Sequence, residues 1–482
     1  MDKKKLIEET PVPGVAIRRQ LLILLPVFVN VFMMGVTGSW PSYALYFFTK
    51  TKDVSATMAE CAQMVSMAEI GRIISAIPGG ILTDKYGRKK INRLTGIIHF
   101  TAWVLLSCST NIMLIYIARL LLGIGTALVN ATATTNIGEV ASPQIRGSLI
   151  GIYLIFFYSG AIFQGMTCAI WSSYKIFTYG NTTIAALYFA VTYWAMETPN
   201  FLLSVPKKEK ALENLKYIRA GYSEDDINIE YQKMDEYISA EKEQKKQLNW
   251  AKFLRSKQIR GPLLITFVLN FLTMMSGINL VGSYNTLIIP DNDYIPKKFY
   301  PLIMQCLLFI PTVLTPFYMD MFPRKTLYIV GAGLTGIIQL SNGISYYVFR
   351  QYDTLFFKWT FIIGNLMLNA AYGSLLGPTN SAIKSELFPQ AVKGLGGSLS
   401  IISQATATIL SYKLYHIMAA KYLHFLYGLF SISCISLVCF VYFVLPEARG
   451  KLLSDLQIDK VKKVKKPSTV QDEFEKHKSE NV

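Results

Sequence analysis

Apolar residues along this chain gather in long runs, and the joins between runs are short and rich in glycine, proline, lysine and arginine. Twelve runs can be marked. In the first half they are roughly 21–48, 62–83, 91–109, 111–135, 148–172 and 182–196. In the second they are roughly 262–289, 299–319, 326–348, 356–383, 395–418 and 423–445. A helix needs about 20 residues to cross about 30 Å of hydrocarbon. Most runs reach that length; the sixth is the shortest. The pattern predicts an all-α polytopic membrane protein with twelve transmembrane helices. Its expected divisions are an N-terminal segment 1–20, a first set of six helices over 21–203, a linker over 204–260, a second set over 261–447 and a tail over 448–482.

The linker has its own period. Ala211, Leu212, Leu215 and Ile218 fall at helical spacing, and Gly221 can end that helix. Ser223-Glu-Asp-Asp226 resembles a capping box with aspartate in the glutamate place, and Ile227, Tyr231, Met234 and Ile238 continue one face behind it. Short amphipathic helices on the cytoplasmic surface are expected here, with a solvated linker as the alternative.

Composition agrees with the pattern. The chain is 52% hydrophobic and 16% charged over 482 residues, too apolar for a soluble protein of this length. The net charge of +17 sits in loops and tails between apolar runs, which suits contact with an anionic lipid bilayer and not with nucleic acid. Lysines and arginines crowd alternate loops, the linker and both ends, so both termini are expected in the cytoplasm. Met1-Asp-Lys-Lys-Lys5 leads into two glutamates and two prolines, and no cleavable signal peptide is expected. Most of the six cysteines lie inside apolar runs and none forms a metal-ligand pattern, so no metal and no cofactor are expected. With four histidines, no catalytic constellation and no nucleotide loop, an enzyme is not expected.

One charged motif recurs. Gly79-Gly80-Ile-Leu-Thr-Asp84-Lys-Tyr-Gly87-Arg88-Lys-Lys90 joins the second and third runs, and Glu139…Arg146-Gly147 joins the fourth and fifth. Asp320-Met-Phe-Pro-Arg324-Lys325 echoes the first, and Glu386…Lys393-Gly394 echoes the second at the same seven-residue spacing between acid and base. Two echoes in the same order across an apolar chain predict two homologous halves.

These motifs resemble the sugar porter family of the major facilitator superfamily, in particular its insect facilitated trehalose and glucose transporters. The likeness runs over roughly residues 20–455. Arg119-Leu-Leu-Leu-Gly123, Glu197-Thr-Pro199, Ser276-Gly-Ile-Asn279, Gly377-Pro378, Glu386-Leu-Phe-Pro389 and Pro446-Glu447-Ala-Arg-Gly450 extend it. The resemblance implies two six-helix bundles around a central cavity, and alternating access to it. For Asp84, Arg88, Glu139, Arg146, Glu197, Arg324, Glu386, Lys393 and Glu447 it implies a cytoplasmic charge lock, closed when the cavity faces outward. The alternative is that these charges only set topology and cap helices.

The departures fall on the substrate site. A Gln-Gln pair is usual before Ser-Gly-Ile-Asn, and here those places are Thr273 and Met274. The fifth-helix glutamine place is Leu154, the tenth-helix tryptophan place is Ser381, and the eleventh-helix asparagine place is Gln404. A polyol needs neutral donors and acceptors with aromatic walls. The candidates are Asn279, Tyr284, Gln404, Thr273, Asn380, Gln164 and Trp40, each with a packing role as its alternative. Arg119 is an intramembrane cation, a functional candidate unless it snorkels or bonds a backbone carbonyl. Glu69 and Arg72, at i and i+3, are expected to neutralise one another.

The reading is a facilitative uniporter of trehalose or a hexose in the plasma membrane, with a monomer favoured. The alternatives are a sugar sensor on the same scaffold, or a transporter of a non-sugar solute. Asn181-Thr-Thr183 is a glycosylation sequon expected in an outer loop.

Overall fold

The computed structural model of this chain describes residues 12–51, 54–171, 173–205, 207–247, 257–319, 321–387 and 393–445. Six long helices build the first half: α1 (Gly14–Tyr46), α2 (Met58–Tyr86), α3 (Arg88–Cys108), α4 (Ile112–Val140), α5 (Arg146–Ile170) and α6 (Tyr174–Thr192). Three further helices follow, α7 (Pro199–Ser204), α8 (Lys208–Ile218) and α9 (Glu224–Gln247). The second half comprises α10 (Lys257–Met274) with α11 (Ile278–Ile288), α12 (Tyr300–Tyr318), α13 (Arg324–Tyr352), α14 (Leu355–Ala371) with α15 (Gly377–Leu387), α16 (Lys393–Met418) and α17 (Leu423–Val444). Among the described residues, eight helical segments are long and apolar enough to cross a membrane.

Local chemistry fixes the joins. Thr57 and Glu60 form a reciprocal capping box at the start of α2, and Asn111 caps α4 through the Met113 amide. Gly87 makes the turn from α2 to α3 at a φ of 89°, where a side chain would be strained and would run into Glu197 and Phe201. Gly277 breaks the seventh span between α10 and α11 at a φ of 84°. The tenth span is interrupted by a π-helical turn over Tyr372–Leu376.

The halves repeat each other in packing. In the first, α2 packs on α4, α1 on α5, and α3 on both α4 and α6. In the second, α12 packs on α14, α10 on α16, and α13 on both α14 and α17. Position by position these are the same four pairings. Small residues allow the close approaches: a Cβ on Gly71 would strike the Leu120 carbonyl, and one on Gly123 the Ala68 carbonyl.

The cores differ between the two ends. At the end away from α7–α9, one hydrophobic cluster joins both halves, with Trp40, Tyr43, Phe47 and Phe177 from the first and Tyr284, Ile288 and Tyr300 from the second. At the end near α7–α9, the linker end, each half has its own cluster. The first is built around Leu24, Val31 and Ile137, the second around Leu269, Tyr328 and Val441. The halves therefore share one core at the far end and keep separate cores at the linker end, where they still touch: Ser398 on α16 donates to the Ala76 carbonyl on α2 at 2.8 Å.

Two helices form in the linker where the spacing puts them, and Ser223 bonds both the Asp226 amide and its carboxylate. Arg219 anchors them by donating to the Val140 carbonyl at 3.0 Å while pairing with Glu230 at 2.9 Å.

Two sequence expectations need correction. The sixth span begins at Tyr174 and ends at Thr192, earlier than the apolar run 182–196. Asn181 consequently lies inside α6 and is fully buried, so it is not a loop sequon. The polar run Gly180–Thr183 hides the helix from hydropathy. Thr182 and Thr183 bond the carbonyls of Thr178 and Tyr179 at 3.0 Å, which lets them sit in apolar surroundings.

Candidate functional site

Three polar assemblies stand out, one within each half and one in the joint core. The first is a hydrogen-bonded chain in the second half, centred on Asn270. Its Oδ1 accepts from Gln404 Nε2 at 2.8 Å and from Asn380 Nδ2 at 3.2 Å, and its own Nδ2 donates to the Thr266 carbonyl at 2.8 Å. Tyr328 donates to Asn380 at 3.3 Å and shares a 2.6 Å bond with Thr273. Three candidates, Gln404, Asn380 and Thr273, thus come together through Asn270, which is not among the sequence candidates. Thr273 and Asn380 are buried and fully engaged, so they hold the network in place. Gln404 is only partly buried and reaches the other half, where Arg72 donates to its Oε1 at 3.5 Å while pairing with Glu69 at 2.8 Å. Asn279 stands apart, donating to Thr408 Oγ1 on α16 at 2.9 Å.

The second assembly lies in the joint core at the far end. The Trp40 indole N–H, the Tyr43 and Tyr284 hydroxyls, Asn285 Oδ1 and both amide atoms of Gln164 are buried with no protein partner. An unpaired buried polar group costs about 1–3 kcal/mol, which makes these six atoms candidate contacts for a polar solute. Tyr284 stacks with Tyr412 and Tyr415 at 5.4 and 4.7 Å between ring centres, an aromatic surface of the kind a sugar's C–H face needs. Arg119 sits beside this region, donating to the Thr37 carbonyl at 3.2 Å with its guanidinium 5.2 Å over the Trp40 ring. Among the described residues no carboxylate forms an ion pair with it.

The third assembly is at the linker end. Arg88 pairs with Glu139 at 2.6 Å and with Asp84 at 3.6 Å. Glu197 accepts from the backbone amides of Arg88 at 2.9 Å and Lys89 at 3.3 Å. Burial pushes the Glu197 carboxyl up from its ordinary value, against those amides, which pull it down. Asp84, Arg88, Glu139 and Glu197 are brought together, all within the first half. Arg146 is exposed at the start of α5 and has no ion-pair partner among the described residues. Arg324 opens α13. Glu386 and Lys393 lie at helix ends where side chains are not described, and Glu447 lies outside the described residues with Asp320.

Comparison with known proteins assigns this architecture. Residues 22–459 match the family described as sugar (and other) transporter. The chain belongs to that family. It is 24% identical to the facilitated trehalose transporter of Bombyx mori over 91% of this chain and 86% of that one. It is 22% identical to the sugar transporter ERD6-like 6 of Arabidopsis thaliana over 84% of each. Among solved structures, the inward-open xylose transporter XylE from E. coli superposes with a TM-score of 0.74 at 20% identity, covering 92% of this chain and 99% of that one. The proton:xylose symporter XylE bound to 6-bromo-6-deoxy-D-glucose gives 0.70 at 19% identity, covering 92% and 99%. The fold is that of the major facilitator superfamily: twelve helices in two six-helix bundles. The protein is a multi-pass membrane transporter and not an enzyme.

Proposed function

We propose that this chain is a uniporter that carries a neutral sugar, trehalose or a hexose, down its gradient by alternating access. The facilitated trehalose transporters among its relatives support the substrate class. The observation that carries the uniport reading is the environment of Arg119. Its partners are a backbone carbonyl and an indole face, where a proton carrier would place a titrating carboxylate.

In this reading the sugar's hydroxyls meet Gln404 and Asn279 on one side, and Gln164, Tyr43 and Tyr284 as the far end opens, with Trp40 and Tyr284 against its apolar faces. The linker end, where each half keeps its own core, is the open side of the cycle in this reading, and the joint core of the far end is the closed gate. The charge lock of Asp84, Arg88, Glu139, Arg146, Glu197, Arg324, Glu386, Lys393 and Glu447 then forms between the bundles in the opposite state. The loop bias of lysine and arginine supports a cytoplasmic linker end in the plasma membrane, with 204–260 as the cytoplasmic linker.

The test is uptake of radiolabelled trehalose, glucose and an uncharged non-sugar polyol by proteoliposomes holding the purified chain. Saturable equilibration of a sugar, inhibited by the unlabelled compound, is expected. No sugar uptake above protein-free vesicles would overturn the reading.

A further inference from the structure

A cavity of about 580 Å³ lies at the linker end, outside the central axis, between the α2–α3 turn, the segment after α6, and helices α7 and α8. Five lysines line it: Lys85, Lys89 and Lys90 from the turn, and Lys207 and Lys210 from the start of α8. Two glutamates, Glu197 and Glu213, are the opposing charges. Glu197 is already engaged by the Arg88 and Lys89 amides. None of the five ammonium groups has an ion-pair partner among the described residues. The site is also built rather than incidental. Asn214, buried in its wall, donates to the Glu197 backbone carbonyl at 2.9 Å and fixes α8 against the segment after α6.

Crowding five like charges around one hollow is unfavourable unless an anion enters it. Lysine is a point-charge ligand for phosphate oxygens, and basic pockets at the membrane surface of helical bundles suit phosphorylated headgroups. Trp194, 79% exposed in the same wall, gives the depth. An indole at the end of a membrane helix sits at the level of the headgroups. Three lysines in excess favour a headgroup with more than one negative charge.

We propose that this cavity binds the phosphomonoester headgroup of an anionic membrane lipid. The bound phosphate ties Lys89 and Lys90, next to the Arg88 pair, to Lys207 and Lys210 on the linker helix. Lipid composition thereby acts on the same joint that carries the charge cluster. This assignment stands whichever solute the central axis carries.

The experiment titrates dioctanoyl phosphatidic acid into the full chain in neutral detergent and reads thermophoresis. Saturable binding is expected. It should weaken roughly tenfold or more in Lys207→Gln/Lys210→Gln and in Lys85→Gln/Lys90→Gln. It should hold in Lys216→Gln/Lys233→Gln, which removes the same charge elsewhere on the linker. Equal weakening in all three, or no saturable binding by the unaltered chain, overturns the proposal. Glycerol 3-phosphate is the soluble arm. Its failure to compete supports a lipid, and competition at concentrations matching the lipid's own overturns the membrane source. Unfolding temperatures confirm that each variant is folded.

Discussion

Arg88 on α3 donates to the Glu139 carboxylate at 2.6 Å, and both residues belong to the first half. The halves meet on the linker side of mid-span through Ser398, which donates to the Ala76 carbonyl at 2.8 Å. Removing one member of the Arg88–Glu139 pair strands the other. With side chains only 10% and 12% exposed, Glu139→Ala is expected to destabilise the protein by about 3 kcal/mol, the low end for a buried pair. Arg146→Ala, exposed and without a described partner, should leave the unfolding temperature unchanged. Under the proposed lock it should instead raise the inward-facing population. Thermal unfolding of both variants checks the first part, and labelling of cysteines at the far-end mouth checks the second. Equal destabilisation by the two would contradict this geometry.

Asn270 should matter more than any of the candidates around it. Asn270→Ala leaves Gln404 Nε2 and Asn380 Nδ2 without their acceptor, at about 1–3 kcal/mol for each stranded group. A fall in unfolding temperature is expected together with loss of uptake. Asn279→Ala, whose single strong partner is Thr408, should raise the KM for sugar with a smaller change in stability. Measuring both quantities for both variants separates the roles; indistinguishable variants would remove Asn270 from its central place.

The contrast shows what the sequence could carry. Run length and the repeated acid–base motifs are local signals, and helices and halves follow from them. Partner choice is not local. Nothing in the span around Asn270 says that it faces Gln404 and Asn380, which lie more than a hundred residues away. The contact of Arg72 with Gln404 across the halves depends on how the bundles dock, and the pairing of Glu69 with Arg72 was legible only because both sit on one helix. Asn181 failed for a related reason. Hydropathy scores a threonine as polar although its hydroxyl is satisfied within its own helix.

Tyr284→Phe tests the far-end lining by sign. In the sugar-free protein the hydroxyl has no protein partner, so its removal should leave thermal stability unchanged or slightly raised. If the hydroxyl meets the sugar, the gain in unfolding temperature on adding saturating sugar should shrink, and the KM should rise severalfold. An unaltered sugar response would assign Tyr284 to packing with Tyr412 and Tyr415 alone.

Asn181 should carry no glycan. Expression in a eukaryotic host, followed by endoglycosidase treatment, should give no mobility shift attributable to this residue, and Thr183→Ala should migrate like the parent chain. Glycosylation there would require the buried face of α6 to be exposed, contrary to the helix observed over Tyr174–Thr192.

Transport should not be driven by protons. A coupled carrier needs a group that gains and loses a proton at membrane depth, commonly a carboxylate released from an arginine. The first span, α1, contains no aspartate or glutamate, and Arg119 donates to the Thr37 carbonyl and lies over the Trp40 ring. Among the described residues, Glu69 on α2 is the one carboxylate near this region. It is held by Arg72 at 2.8 Å and stands within electrostatic reach of Arg119 as well. Neutralising it would leave two cations unbalanced in the interior. Uptake into sealed vesicles should therefore stop at the outside concentration whether or not a pH gradient is imposed, and Glu69→Gln should lower the rate without altering that end point. Accumulation above the outside concentration, abolished by a protonophore, would show that Glu69 or another group carries the proton.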